Sequence, residues 1–512
     1  MFRSIATRGA ARRHRHRCTV SMLATAAVLC GAVPVRAQRG PDMAAFDQYV
    51  TKALRDWNGV GLGIAIVHGD SLLFAKGYGV LELGKPARVN EHTRFAIGST
   101  TKAMTSAALA MLADEGKLRW DDRVIDYIPE LRLYDAYATR ELTIRDLLTH
   151  RTGMPGTDLF WAIDENALPF AEVIRRLRFV QPNSSFRSTW TYQNVMYAMS
   201  GTVIERVSGM PWDAFIRSRI FAPLAMNESE ALVSQIRGKA NVAVPHAEIR
   251  DTVRVVPIKS TDGVAPAGSV WSSVTDMAKW MRFVLDSGRV GSTRLISLAN
   301  FRELVAPQMR APMAQYPALE VAAPNTFSYA LGWFVQDYHG KTVWMHTGSI
   351  NGMSAIIGLL PDERVGVYVL ANLDHIELRH ALMYQAFDLF STNPRRDWSA
   401  ELKALMAPKG PPRAAAAGAH ASIAKQSVTL DKYIGTFADP AFGSIVVSMV
   451  NGMLSARWDK LNLGVLDHWD FDVFRSRPAT ALDEPTPLAF QPDGNGGVTA
   501  VRAYGVTFVR KP

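Results

Sequence analysis

The stretch Ile97-Gly-Ser-Thr-Thr-Lys102 marks a change in the sequence from an extended to a helical pattern. After it, alanine, methionine and leucine recur at helical spacing up to Leu112, and Gly116 ends the pattern. A helix that starts here carries Ser99 and Lys102 on one face of its first turn, beside the backbone N–H groups that a helix start leaves free. This arrangement suits a serine that is acylated while backbone donors hold the oxyanion. Taken alone, a helix-capping serine beside a solvated lysine is the simpler interpretation.

Two further motifs follow in the chain. Thr191-Tyr-Gln-Asn194 precedes a helical segment, and the stretch 344–352 reads Trp-Met-His-Thr-Gly-Ser-Ile-Asn-Gly after a strand-like segment. The order S-x-x-K, Y-x-N, H-T-G resembles the layout of the penicillin-recognising serine hydrolases, and within them the class C β-lactamase branch. Residues 147–156 and 266–280 resemble supporting stretches of that branch. The resemblance covers about residues 42–395.

The resemblance implies a role for each motif residue. Ser99 is the nucleophile, and Lys102 and Tyr192 share its proton. Unperturbed lysine and tyrosine have pKa values of about 10.4 and 10, so the sequence leaves open which of them is the base. Asn194 orients Lys102 and binds the amide carbonyl of the substrate, and the N–H groups of Ser99 and Ser349 form the oxyanion hole. The substrate-binding residues implied are Asn194, His346, Thr347, Gly348 and Ser349.

His346 is the departure from the family pattern, because class C β-lactamases carry lysine there to hold the carboxylate of the antibiotic. Histidine is mostly neutral at pH 7, which weakens a clamp on a carboxylate. The substitution is familiar in relatives that act as esterases or on D-amino-acid peptides, so it argues against efficient β-lactam hydrolysis. The alternative interpretation is a buried histidine bonded to backbone.

Strand patterns occur near both ends of the family-like region, with helical patterns between them. A hairpin is predicted at residues 60–79, late strands at 329–337, 342–346, 355–360 and 365–371, and a helix at 380–390. These patterns predict an α+β fold (α/β sandwich) in which an antiparallel sheet is flanked by helices, with an additional all-helical subdomain.

The C-terminal part of the sequence differs in residue composition and in its strand patterns. Residues 407–426 form a Pro/Ala/Gly linker without apolar periodicity, and residues 427–512 contain short strand patterns separated by Asn-Gly and Asp-Gly turns. About 85 residues of this kind predict a small β-barrel. The region is similar to the lipocalin-like tail behind some members of the same hydrolase family.

The basic charge of the chain is concentrated at its start. Residues 1–37 hold seven arginines and no acidic residue, followed by an apolar run and a small-x-small cleavage site, as in a signal peptide. Removal of this segment lowers the formal charge from +10 to +3 and removes both cysteines, Cys18 and Cys30. We therefore expect an exported, periplasmic or secreted protein without disulfides or cysteine chemistry, and no nucleic-acid partner.

The predicted organisation is a signal peptide (1–37), a serine hydrolase domain (38–406), the linker and the barrel. The histidines show no zinc-binding spacing, so we expect no metal and no cofactor. The predicted activity is cleavage of an amide or ester, such as a β-lactam, a D-amino-acid peptide or a short ester, through an acyl-enzyme on Ser99. The alternative is a penicillin-binding or sensor protein that is acylated but turns over poorly. The sequence leaves the oligomeric state open.

Overall fold

An antiparallel sheet of eight strands forms the centre of residues 41–407, here called the sheet region. The computed structural model describes residues 41–162, 168–392, 396–407, 424–477 and 485–512. The expected signal segment 1–37, with both cysteines, and most of the linker 407–426 lie outside these residues. The strands are β1 (Gly61–His68), β2 (Ser71–Gly79), β3 (Met309–Arg310), β4 (Phe327–Tyr329), β5 (Phe334–Tyr338), β6 (Lys341–Ile350), β7 (Met353–Leu360) and β8 (Val365–Ala371).

The order of strands across the sheet is β2-β1-β8-β7-β6-β5-β4-β3. The hairpin from the start of the region therefore pairs with the last strand, with Leu62 opposite Ala371 and His68 opposite Val365. Every residue of β7 and β8 is buried, as expected for strands covered on both faces. This confirms the predicted sheet that joins the two ends of the region.

Helices cover both faces of the sheet. The described helices are α1 (Met43–Asp56), α2 (Thr101–Asp114), α3 (Val124–Tyr127), α4 (Ala136–Glu141), α5 (Ile144–Leu147), α6 (Leu159–Ala162), α7 (Phe170–Arg176), α8 (Asn194–Ser208), α9 (Trp212–Ile216), α10 (Val233–Ile236), α11 (Ala265–Gly268), α12 (Val274–Leu285), α13 (Leu298–Val305), α14 (Ala318–Ala322), α15 (Leu378–Asp388) and α16 (Trp398–Met406). Ala65 and Val67 of β1 belong to the core with α2, α8 and α12. Ile64 and Ile66 belong to the core with α1 and α15. The alternation of β1 between two cores confirms the α/β sandwich.

One predicted strand is wrong in its extent. Residues 329–337 were expected to be continuous, but the chain turns between β4 and β5, which pair with each other. Gly332 has a φ of +88°, which favours glycine, and an added Cβ there would lie 3.1 Å from the backbone of Ala103. The turn thus lets the sheet approach α2 closely.

The C-terminal residues form a closed eight-stranded barrel, which confirms the predicted β-barrel. Its interior is filled by buried aromatic and aliphatic side chains, among them Tyr433, Phe437, Trp458 and Phe508. The strands are β9 (Gly435–Asp439), β10 (Gly443–Val450), β11 (Met453–Trp458), β12 (Leu461–Asp470), β13 (Val473–Ser476), β14 (Pro487–Pro492), β15 (Val498–Ala503) and β16 (Val506–Arg510).

The barrel contacts the sheet region at the turn between β9 and β10. The ring of Phe442 in this turn lies 4.9 Å from the ring of Phe160 in α6. Arg176 of α7 donates a hydrogen bond to the carbonyl oxygen of Ala441 at 3.3 Å. Leu159 packs against the barrel core.

In the described parts of the chain, the helices are too short or too polar to cross a bilayer.

Candidate active site

Ser99 lies where the chain passes from a short strand into α2. Residues Gly98–Thr100 form a turn of 3₁₀-helix that leads directly into α2. Gly98 has a φ of +53°, a conformation that favours glycine. Ser99 is half-buried, so its hydroxyl is held by the fold yet open to the cleft beside it.

Strand β6 passes unusually close to this turn. A Cβ on Gly348 would lie 1.9 Å from the carbonyl oxygen of Ile97, and a Cβ on Gly98 would lie 2.7 Å from the backbone nitrogen of Ser349. Only glycine fits at these two points. As a result, the backbone of Ser349 lies beside Ser99, although 250 positions separate the two residues in the sequence.

Lys102, the second residue of α2, is fully buried. Its Nζ donates to the Oγ of Ser99 at 3.0 Å, to the Oδ1 of Asn194 at 2.7 Å and to the carbonyl oxygen of Ala267 at 2.7 Å. All three acceptors are uncharged. Burial lowers the pKa of Lys102 to about 7, and the charge of Asp158 acts in the opposite direction. A substantial fraction of Lys102 is therefore neutral near pH 7.

Tyr192 lies against both of these residues. The Nζ of Lys102 is 4.8 Å from the centre of the Tyr192 ring. Desolvation raises the pKa of Tyr192 well above its ordinary value, and its hydrogen bond to Ser99 acts in the opposite direction. Tyr192 therefore remains a neutral phenol at pH 7.

Asn194 is the first residue of α8, and both ends of its amide are occupied. Its Oδ1 accepts from Lys102, and its Nδ2 donates to the Oδ1 of Asp158 at 3.1 Å. The carboxylate of Asp158 only accepts, so it directs the Nδ2 of Asn194 towards itself and leaves the Oδ1 for Lys102. The structure thus brings Ser99, Lys102, Tyr192 and Asn194 together.

The residues of β6 divide into two groups. Ser349 lines the cleft. His346 does not: it is buried, its Nε2 lies 3.0 Å from the hydroxyl of Tyr329, and its Nδ1 lies 2.6 Å from the carbonyl oxygen of Thr347. The Thr347 hydroxyl is also buried, 2.8 Å from that of Tyr316. Desolvation, with a contribution from the charge of Lys102, lowers the pKa of His346 to about 3, so the ring is neutral.

The placement of His346 agrees with the alternative interpretation, a buried histidine bonded to backbone. Phe334 lies beside it as well, with ring centres 5.2 Å apart. A histidine held in this way offers neither a charge nor a free nitrogen to a carboxylate in the cleft.

Sequence reasoning missed three residues that support the site. Arg379 of α15 is buried and donates to the carbonyl oxygen of Gly348 and to the Oγ of Ser349, both at 2.8 Å. Arg379 lies just before the predicted helix 380–390, and no motif marks it in the sequence. His150 lies in a stretch noted for its family resemblance. The centre of its ring is 4.4 Å from that of Tyr192, and its Nδ1 accepts from the backbone N–H of Gln193 at 3.0 Å.

Asp158 is the third residue, and no sequence signal marked it. Its carboxylate opens into a cleft of about 240 Å³, which is also lined by Ser99, Asn194, Trp161 and Lys259. A larger groove of about 690 Å³ lies between α7 and the barrel and contains none of the predicted site residues. Within the described parts of the chain, no three His, Asp or Glu side chains are grouped to hold a metal ion.

Comparison with known proteins finds relatives that include a fungal hydrolase and a bacterial penicillin-binding protein. An unguisins hydrolase from Aspergillus violaceofuscus is 28% identical over 344 residues, which cover 64% of this chain and 60% of that protein. Penicillin-binding protein 4 from Amycolatopsis lactamdurans is 27% identical over 317 residues, which cover 61% of this chain and 80% of that protein. The chain thus spans less than two thirds of the first relative.

The fold is also shared with a solved structure, an octameric penicillin-binding protein homologue from Pyrococcus abyssi. The TM-score is 0.62 at 20% identity, and the match covers 92% of this chain and 100% of that one. A family model for a domain of unknown function, DUF3471, matches residues 419–510, and the beta-lactamase family model matches residues 46–388. Because the latter match contains the sheet and all three motifs, the chain belongs to the beta-lactamase family, as the order of the motifs predicted.

Proposed function

We propose that this protein is an exported serine hydrolase that cleaves an amide or an ester through an acyl-enzyme on Ser99. One observation carries the proposal: a fully buried lysine without a charged hydrogen-bond partner lies 3.0 Å from the hydroxyl of a serine that faces a cleft. Such a lysine can hold a free amine at neutral pH and accept the proton of the serine. Residues 38–406 would form the catalytic domain, and the arginine-rich segment 1–37 would direct export.

In the proposed reaction, the Oγ of Ser99 attacks the substrate carbonyl while Lys102 takes the hydroxyl proton. The negative charge that develops on the carbonyl oxygen is received by the backbone N–H groups of Ser99 and Ser349. The close approach at Gly348 brings these two groups together. Loss of one such donor typically lowers the rate by about 10²- to 10³-fold.

The leaving group then needs a proton as its bond to carbon breaks. Tyr192 is the donor best suited to this step, because it stays a neutral phenol and lies against both Ser99 and Lys102. Lys102 returns the proton it took from Ser99 to Tyr192. A water molecule then attacks the ester on Ser99 and regenerates the free hydroxyl, with the same groups in reversed roles.

The buried position of His346 bears on the substrate. Strand β6 supplies no cation to the cleft, so the carboxylate of a β-lactam would lack the lysine that binds it from this strand in class C β-lactamases. Lys259 lines the cleft as well, but it lies outside β6 and shares the cleft with the carboxylate of Asp158. The missing lysine on β6 favours an amide or ester without that carboxylate over a penicillin or cephalosporin. A penicillin-binding protein that turns over poorly is the second candidate, and the relationship to penicillin-binding protein 4 is the observation in its favour.

Intact-mass spectrometry on the wild type, Ser99→Ala and Ser188→Ala tests the proposal. A fluorophosphonate should add once to the wild type and to Ser188→Ala, whose substituted hydroxyl is exposed, and not to Ser99→Ala. A p-nitrophenyl ester should give a transient adduct and steady release of product. Stoichiometric labelling of Ser99→Ala would refute the nucleophile, whereas a lasting adduct without turnover would favour the penicillin-binding alternative.

A further inference from the structure

The amide of Asn194 brings a carboxylate into the cleft beside the proposed nucleophile. One of its two N–H groups is donated to Asp158, and the second is left for the amide carbonyl of a substrate, as the family resemblance implies. Asp158 also lines the cleft beside Ser99. A carboxylate therefore lies next to the group that would hold the acyl part of the substrate.

We infer that this cleft recognises a free ammonium group on the acyl part of the substrate, through the carboxylate of Asp158. The inference rests on the proposed function, because it names the class of substrate that Ser99 would cleave. The relatives described above do not determine this preference. A cleft of this kind would favour free aminoacyl amides or esters over their N-acylated forms.

The local chemistry supports this assignment. Within the described parts of the chain, Asp158 forms no ion pair, and Asn194 is the donor to its side chain. A carboxylate accepts hydrogen bonds and donates none, so the carbonyl of an N-acylated substrate meets it unfavourably, while an ammonium offers it up to three N–H donors. Desolvation raises the pKa of Asp158, and a cation bound beside it would stabilise its charged form.

The second charge in the cleft provides an internal comparison. Lys259 lines the same cleft as Asp158, and its positive charge acts on a bound ammonium with the opposite sign. Removal of Asp158 and removal of Lys259 should therefore change the preference for a cationic substrate in opposite directions. If the two substitutions acted only by damaging the fold, both variants would change this preference in the same direction.

The experiment compares p-nitroanilides of alanine and β-alanine, each with a free and with an acetylated amine, on the wild type, Asp158→Asn, Asp158→Glu and Lys259→Gln. The readout is the ratio of kcat/KM for the free amine to that for its acetylated form. This ratio cancels any effect on Ser99 chemistry that both substrates share. The two substrates place the ammonium at different distances from the scissile bond.

We expect the wild type to favour the free amine, and Asp158→Asn to lower the ratio at least tenfold, which corresponds to about 1.4 kcal/mol. Asp158→Glu should retain part of the preference, and Lys259→Gln should raise the ratio. A ratio unchanged by Asp158→Asn, or a wild type that prefers the acetylated forms, would overturn the inference while Ser99-dependent ester hydrolysis still supports the proposed function. If Ser99→Ala cleaves esters as fast as the wild type, the proposed function itself fails.

Discussion

The barrel supports one wall of the cleft, and this support can be tested at Phe442. The chain from Asp158 to Trp161 has two sides. Asp158 and Trp161 line the cleft, whereas Phe160 and Leu159 contact the barrel. The rings of Phe442 and Phe160 are inclined by 30° with their centres 4.9 Å apart. Phe442 therefore contacts the outer side of the same turn whose inner side faces the substrate.

Replacement of Phe442 by alanine removes this contact. Aromatic pairs of this kind contribute about 0.5–1.5 kcal/mol beyond the area they bury. The ring is half-buried, so the lost apolar contact adds roughly another 1 kcal/mol. A loss of about 2 kcal/mol in the stability of the docked turn corresponds to about a thirtyfold change in an equilibrium constant. We expect kcat/KM for aminoacyl amides, which would contact Asp158, to fall by up to that factor.

The assay measures kcat/KM for a p-nitrophenyl acetate ester and for an aminoacyl p-nitroanilide, together with urea unfolding. Phe442→Ala should affect the amide far more than the ester, because the ester has no group that reaches Asp158. Phe442→Leu, which keeps an apolar contact, should lie between the wild type and Phe442→Ala. Phe471→Ala is the matched control, since that ring also belongs to the barrel but is 58% exposed. The reasoning is refuted if Phe442→Ala leaves both substrates unaffected, or if Phe471→Ala loses as much activity.

Three further predictions concern the residues around Ser99. In a pH–rate profile on an uncharged ester, kcat/KM should rise as the pH passes through about 7 and level off above it. The reason is that Lys102 accepts a proton only in its neutral form, and burial lowers its pKa to about 7. A profile that falls over this range would contradict Lys102 as the base. Gly348→Ala should abolish fluorophosphonate labelling, because the added Cβ would lie 1.9 Å from the Ile97 oxygen, whereas Gly494→Ala, where a Cβ meets no atom within 4 Å, should label normally. His346→Lys should lower the free energy of unfolding, measured in urea, by about 3–5 kcal/mol, because it would place an unpaired charge in the core. A stable variant with a new preference for carboxylate-bearing substrates would show instead that this side chain reaches the cleft.

Local sequence patterns were sufficient to predict the helix after Ser99 and the central sheet. The helix after Ser99 follows from its apolar spacing, and the sheet follows from the long apolar runs of β7 and β8. Ser99, Lys102, Tyr192 and Asn194 lie in short motifs whose spacing is characteristic even though each motif is weak alone. The error at residues 329–337 arose because a strand pattern does not record that Gly332 approaches α2 and turns the chain.

Contacts between distant segments could not be predicted from the sequence. Phe160 and Phe442 are 282 positions apart, and each alone is an unremarkable aromatic residue. His346 was expected in the cleft because of the residue it replaces in related proteins. Phe334 on the adjacent strand β5 and Tyr329 on the next strand, β4, contact its ring, and only the order and register of the strands place those two side chains beside it.

In the proposed reaction, catalysis and substrate preference would depend on different elements of the fold. The groups proposed for catalysis are held by the sheet and by the starts of α2 and α8, where Lys102 contacts only uncharged acceptors. The charged side chains that line the cleft, Asp158 and Lys259, lie on connecting segments outside the sheet and these two helix starts. Because the barrel also contacts the segment that carries Asp158, we expect changes in the barrel to alter which substrates are accepted and to leave the reactivity of Ser99 intact. Changes at Gly348, in contrast, act on every substrate, since all of them require the same approach of β6 to Ser99.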